Sequence, residues 1–432
     1  MQLKKVKTYN KAFFNLKKPF LLQSRKKLKL ALAASAFLFL SKPAPTVHAD
    51  EVAMQYLSYD ESNNRVYVDA YSFDLKHEIG TDDVLDFNYT HDAVSGATPT
   101  WSDTSSGGSQ KSVGVVKETG NATPIVATYD ITPFGDTRDS ADVLWTHRFA
   151  NRDELALGVN LSSETDFLSY GGSANYLKNF NQANTNVSIG ASYIKNEVTP
   201  NFLANTVDTA PIVPNLFMDT PTKSFETFNV FNVQGGVTQL LTKNSFVNVS
   251  VFYSRESGYL QNPYLRVVRE YNVAGNRTDK YIFEENRPRE RNAYGFTANY
   301  VQELISQYDA HLGYRFYRDN WKIQSHTIDV KLYAEVIDNF TLIPSFRYYS
   351  QTKAYFYGNL FHEKFATRYS TGQEQEFASS DFRVGAYDAR EYGLGLEYKF
   401  NNSLKVNVNS SIYQQTTGLR AFVLTTGFNY IF

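Results

Sequence analysis

Runs of about ten residues in which every second side chain is apolar recur along this chain, and no stretch reads as a membrane-spanning helix. Successive strand residues point to opposite faces, so each run has one greasy side and one polar side. In 327–337, "TIDVKLYAEVI", Ile328, Val330, Leu332, Ala334 and Val336 share one face, and Asp329, Lys331, Tyr333 and Glu335 the other. In 391–400, Tyr392, Leu394, Leu396, Tyr398 and Phe400 oppose Glu391, Gly393, Gly395, Glu397 and Lys399. The closing "AFVLTTGFNYIF" puts Phe422, Leu424, Phe428, Tyr430 and Phe432 on one parity.

Soluble sandwiches alternate too, so the connections must decide. Strands are expected near 52–60, 64–77, 82–93, 137–150, 153–167, 170–180, 184–197, 225–241, 245–258, 290–305, 307–322, 324–338, 340–357, 381–399, 402–416 and 418–432. That is about 16, with 14–18 compatible with the pattern. The links between them alternate in size. "NRD" at 151–153, "TKNS" at 242–245, Asp338-Asn339 and Asn401-Asn402-Ser403 are tight, whereas the insertions near 94–136, 198–224, 259–289 and 358–380 are long. Short periplasmic turns and long extracellular loops are the asymmetry of a transmembrane antiparallel β-barrel. Backbone polar groups in lipid must be paired, and among β structures only a closed barrel pairs them all. The 31 Tyr and 32 Phe suit aromatic girdles at the two interfaces. The expected fold is therefore all-β, one barrel domain over 50–432.

The start of the chain agrees. Residues 1–49 hold eleven Lys or Arg and no acid, then an apolar run from Leu30 to Leu40 and small residues at Val47 and Ala49. The run is shorter than the ~20 residues a spanning helix needs, so it reads as a secretory signal peptide cleaved after Ala49. Of the 43 basic residues 32 then remain against 44 acidic ones, a net of −12 that argues against a nucleic-acid partner. The absence of cysteine excludes disulfides, thiolate chemistry and a lipoprotein anchor. A bacterial outer-membrane address follows as the expectation, with outer-membrane lipids and the barrel assembly machinery as partners. Phe428, Tyr430 and Phe432 are the expected C-terminal assembly signal.

Several stretches go beyond generic barrel character: "DAVSGATP" at Asp92–Pro99, "SSETDFLSYGG" at Ser162–Gly172, the run Gly236–Tyr264, "YRFYRDNW" at Tyr314–Trp321, "RYYSQTKAYFY" at Arg347–Tyr357 and "SSDFR" at Ser379–Arg383. Together they resemble a bacterial outer-membrane family known as domain of unknown function thirty-five-seventy. The resemblance implies a barrel and an outer-membrane address, and carries over no activity or catalytic residues.

Charged residues gather where the strands are expected to meet the outer loops. Asp309, Arg315, Asp319, Asp329, Lys331, Arg347, Asp381 and Arg383 are the candidate lumen and rim cluster, either a charged constriction or a set of ion pairs bracing the wall. The histidines left after cleavage show no metal-ligand spacing, and no catalytic residue, metal or cofactor is expected. About 16 strands enclose a lumen too wide for side chains to fill, so a porin-like channel for small hydrophilic solutes or ions is the leading expectation. A non-conducting scaffold that encloses a partner is the alternative, and an outer-membrane hydrolase the third. The oligomeric state is not legible.

Overall fold

The computed structural model describes residues 50–62, 65–99, 131–200, 216–218, 225–273, 277–363 and 376–432. The expected signal peptide (1–49) and the middle of the first long loop (100–130) lie outside the described residues.

Alternation over ten or more residues produces long strands, and long strands pair into a wall. In chain order they are β1 (Glu51–Glu61), β2 (Val66–Ile79), β3 (Asp83–Pro99), β4 (Ile131–Arg148), β5 (Glu154–Ser163), β6 (Phe167–Phe180), β7 (Thr185–Val198), β8 (Leu216–Met218), β9 (Glu226–Thr242), β10 (Ser245–Gly258), β11 (Arg266–Val273) and β12 (Arg277–Glu284). Then follow β13 (Glu290–Ile305), β14 (Tyr308–Asp319), β15 (Gln324–Ile337), β16 (Phe340–Gln351), β17 (Leu360–Glu363), β18 (Tyr387–Lys399), β19 (Leu404–Gln415) and β20 (Arg420–Ile431). Sixteen of them, all except β8, β11, β12 and β17, form one closed antiparallel barrel. The seam pairs β1 with β20 from Glu51↔Ile431 to Glu61↔Ala421, and the Asp50 and Phe432 backbones exchange hydrogen bonds of 3.0 and 2.9 Å below it. Phe428 and Tyr430 thus sit in the strand that closes the barrel.

The apolar parity faces out. Val159, Val251, Tyr392 and Ile412 are 62, 59, 51 and 50 % exposed although they lie mid-strand, which is tolerable only against lipid. Sixteen strands spaced about 4.8 Å and tilted about 40° enclose a cylinder about 30 Å across, too wide for side chains to meet at the centre.

The four tight links named from the sequence (151–153, 242–245, 338–339 and 401–403) all lie at the end that holds the termini. Asn339 and Arg152 adopt left-handed backbone at φ 66 and 67 to close two of them. Buried Asp153 pins the turn after β4, accepting bonds from the Tyr176 hydroxyl (2.8 Å), the Asn179 amide N–H (2.9 Å) and the Asn151 side chain (2.9 Å).

The loops at the other end differ from the expectation of plain insertions. Three of them contribute strands to a second sheet, ordered β17-β11-β12-β8, with an antiparallel β11–β12 hairpin flanked by two parallel pairings. The expected strands 340–357 and 381–399 also shrink to 340–351 and 387–399, and the chain freed in this way builds a core. Trp321, Ile323, Ala354, Phe356 and Val384 are buried together, with Leu260, Tyr317, Tyr357 and Phe377 packed around them. Burying a large apolar side chain contributes about 1.5–3 kcal/mol, so this body holds its own shape. It will be called the cap.

Candidate channel lumen and its outer cap

Cross-strand register decides which polar residues look inward. Along β5 to β10 the inner parity carries Asn160, Ser173, Asn175, Ser188, Ser192, Asn232, Gln234, Thr238, Asn248 and Ser250, a neutral amide and hydroxyl wall. Its members bond to one another, as in Asn232 to Ser192 (3.1 Å) and Asn248 to Thr238 (2.8 Å). The opposite arc is charged. One row runs Gly313↔Asp329↔Arg347↔Glu391↔Tyr413 across β14 to β19. Arg347 donates to Asp329 at 2.5 Å and has Glu391 on its other side. Lys331 and Arg315 lie on the same inner parity, and the Arg315 guanidinium sits 5.2 Å over the Phe252 ring.

The eight charged candidates therefore do not converge. Arg315, Asp329, Lys331 and Arg347 line the lumen. Asp309 shares their inner parity but lies at the short-turn end, because β14 begins at Tyr308 and Asp309 pairs with Tyr333 and Glu303. Asp319 is at the loop end and is 4 % exposed. It accepts from Arg291 (2.8 Å), the Tyr317 hydroxyl (2.8 Å) and the Ile323 amide (2.9 Å), while the Arg291 guanidinium lies 4.6 Å over Trp321. That set locks the β14–β15 turn.

Asp381 and Arg383 are elements of the cap. The Arg287 guanidinium bridges Glu285 (3.0 Å) and Asp381 (2.7 Å), all three buried. The Ser379 hydroxyl donates to Glu285 at 2.6 Å, and Arg383 adds bonds of 2.9 and 3.0 Å to Asp381. Burial alone would push the Asp381 carboxyl up, but the Arg383 hydrogen bonds and the Arg383 and Arg287 charges outweigh it and hold the group below the ordinary carboxylate range.

The cap roots on the inner side of the wall. Gln351 has the parity of Arg347, and its amide donates to the Arg383 and Gly385 carbonyls at 3.0 and 2.5 Å. Tyr317 has the parity of Arg315 and packs on the cap core. The described parts of the loops after β10 and β16 are thus rooted on the lumen side of β13 to β18. Gly258 makes the bend out of β10. Its φ is +122, and a Cβ there would lie 2.3 Å from the Thr227 carbonyl oxygen, so only glycine is accommodated.

Across the lumen from this root is a cavity of about 440 Å³ lined by Leu57, Val68, Asp92, Asp136, Arg138 and Glu164 among others. Arg138 holds Asp92 through contacts of 2.7 and 2.6 Å. Carboxylate oxygens of Asp136, Glu164 and Asp166 lie within 4.8 Å of one another, an all-oxygen set of the kind hard divalent cations take. Burial first, then the neighbouring Asp136 charge, pushes the Glu164 carboxyl up. The Tyr264 hydroxyl donates to Asp166, tying the loop after β10 to this corner. Reading the sequence missed these residues, although Asp92, Glu164 and Asp166 stand inside two of its distinctive motifs. The motifs marked the place, but only register brings them together.

Residues 28–424 match the model of a family described as protein of unknown function (DUF3570). The chain belongs to the DUF3570 family. No curated protein matches it. Among solved structures, this DUF3570 barrel is similar to the outer membrane protein opdK from Pseudomonas aeruginosa, at 7 % identity over 89 % of this chain and 99 % of that one, TM-score 0.40. It is likewise similar to an OmpT loop-deletion mutant, an outer membrane protein of Vibrio cholerae, at 10 % identity over 89 and 99 % of the two chains, TM-score 0.41. The match to the ferric enterobactin receptor of Pseudomonas aeruginosa has 10 % identity and TM-score 0.39; it covers 87 % of this chain but spans only 54 % of the receptor.

Proposed function

We propose that this DUF3570 barrel is an outer-membrane channel for small hydrophilic solutes or ions, restricted at its loop end by the cap. The carrying observation is the lumen wall: neutral amides and hydroxyls over β5 to β10 face a charged arc centred on Arg347, inside a cylinder too wide to be filled from its own walls. The outward apolar belt supports residence in a bilayer. The basic leader with cleavage after Ala49 supports export to the outer membrane, and the alternating aromatic end through Phe432 supports recognition by the assembly machinery. The chemistry of the wall is that of passage, with polar groups spread around the bore, and the reading assigns no catalytic residue.

The inward cap favours a second reading, a barrel closed at rest that serves as a scaffold. Planar-bilayer recording on refolded residues 50–432 separates the two, run beside a variant in which 262–286 is replaced by a short Gly/Ser linker. Stepwise conductance from the intact protein supports the channel. Conductance only from the variant makes the cap a plug. A well-folded barrel silent in both forms refutes the channel.

A further inference from the structure

Outward-facing residues just beyond the apolar belt at the loop end stand where a bilayer gives way to its headgroups. On β18, β19 and β20 the last apolar row is Tyr392↔Ile412↔Phe422, with its members 51, 50 and 47 % exposed. Two residues further along the same strands, about 6.6 Å nearer the loops, comes the row Tyr348↔Arg390↔Gln414↔Arg420. Arg390, Gln414 and Arg420 are exposed. The two arginines are separated by two strand spacings, about 10 Å, with the Gln414 amide between them.

What distinguishes this row is its unspent charge. Elsewhere on the outward rim Lys195 has Glu197 at 3.2 Å and Arg255 has Glu290 at 3.4 Å, and Arg318, which also lacks a carboxylate among the described residues, is the single cation of its row Tyr253↔Tyr294↔Arg318↔Gln324. Among the described residues Arg390 and Arg420 have no carboxylate partner. Of the outward acids nearby, Asp388 accepts from the Tyr348 hydroxyl at 3.3 Å, and Asp60, set opposite Phe422 in the seam, forms no ion pair with Arg420 among the described residues. A planar guanidinium pairs bidentately with carboxylate or phosphate oxygens, and phosphate is the oxyanion of the headgroup layer.

We propose that Arg390, Gln414 and Arg420 form a binding site for the phosphorylated saccharide headgroup of an outer-leaflet glycolipid. Each guanidinium takes a phosphate, and the Gln414 amide takes a sugar hydroxyl between them. The site is at the end opposite the termini, so this inference rests on the outer-membrane reading for which leaflet it meets.

The test uses the purified full-length mature barrel in detergent micelles, with bis-phosphorylated lipid A, dephosphorylated lipid A and phosphatidylglycerol as probes, bound lipid being counted by native mass spectrometry. The barrel is expected to hold bis-phosphorylated lipid A at least tenfold more tightly than either other probe. Arg390→Gln with Arg420→Gln abolishes that preference, each single variant weakens it, and Arg255→Gln keeps it. Heat-modifiable migration on gels checks that every variant is folded. An undiminished preference in the double variant, equal binding of phosphatidylglycerol, or an equal loss in Arg255→Gln overturns the proposal. Membrane fractionation of cells is read separately: a barrel found elsewhere than the outer membrane removes the leaflet assignment, while the micelle result still judges the site.

Discussion

Replacing Arg287 by Met puts a number on how firmly the cap is held. The guanidinium bridges Glu285, on the loop after β12, and Asp381, on the loop before β18. Side-chain exposure is 9 % for Arg287, 0 % for Glu285 and 2 % for Asp381. Removing one member of such a buried set leaves uncompensated charge and costs about 3–5 kcal/mol. Asp381 keeps Arg383, so the lower figure applies, and about 3 kcal/mol is about 150-fold in the closed-to-open equilibrium. The cap carries its own reporters, because Ala378 donates its amide to Asn286 (2.8 Å) across two loops and Ser379 donates to Phe356 (3.1 Å) within the loop before β18. Hydrogen exchange at these two amides should accelerate about 150-fold while amides in β5 to β7 stay as they were. Arg383→Met is the companion: its side chain is 60 % exposed, and an exposed pair is worth about 1 kcal/mol or less, so its effect stays under about tenfold. Acceleration below about threefold in Arg287→Met, or equal effects in the two variants, refutes the view that buried charge pairing closes the cap.

Three further outcomes follow from the same contacts. Trp321→Ala empties the centre of the cap core and should cost about 3–5 kcal/mol there, visible as lost protection at Ala378 and Ser379 with the barrel still heat-modifiable on gels; a barrel that fails to fold speaks against a separate cap. Arg347→Gln leaves Asp329 and Glu391 facing the lumen unbalanced. A unit charge at 4 Å in water is worth about 1 kcal/mol, about fivefold in local cation concentration, so the reversal potential in a salt gradient should move toward cation selectivity, and no movement excludes this row from the conduction path. Asp381 has its carboxyl held low in the folded state, so its stabilisation is complete above the unfolded value of about 3.9 and is lost as pH falls through the depressed one. Exchange at Ala378 should therefore be flat from neutral pH down to about 4, once corrected for intrinsic rates, and rise below it; loosening already at pH 6 points to another group.

The barrel was legible because lipid enforces a two-residue period over whole strands. The sixteen expected segments overlap all sixteen wall strands, and a residue such as Val251 or Tyr392 has no other reason to be large, apolar and regularly spaced. The second sheet was not legible for the converse reason. Strands β8 and β17 have three and four residues, and β11 sets Val267 beside Val268, both buried, so no alternation survives where both faces are covered. The charged candidates divided in the same way. Asp329, Lys331 and Arg347 were recognisable as inward because their neighbours alternate. Asp381 was read as the start of a wall strand because nothing local says that 381–386 leaves the wall, and Arg287, its buried partner, lies 94 residues earlier.

The parallel pairing of β11 with β17 sets Val268 beside Leu360, with four wall strands between them in the chain. Neither loop can reach the other unless β10 and β16 end at matching heights, and those heights are set by every register in between. A two-residue slip between neighbours preserves which face is greasy, so lipid does not penalise it, yet it raises one loop root by about 6.6 Å relative to the rest. That displacement separates Arg287 from Asp381. The cap is in this sense a gauge of its own barrel: it closes only over a wall whose strands are correctly counted, and a misregistered barrel is left with an open mouth and an unburied Trp321 to betray it.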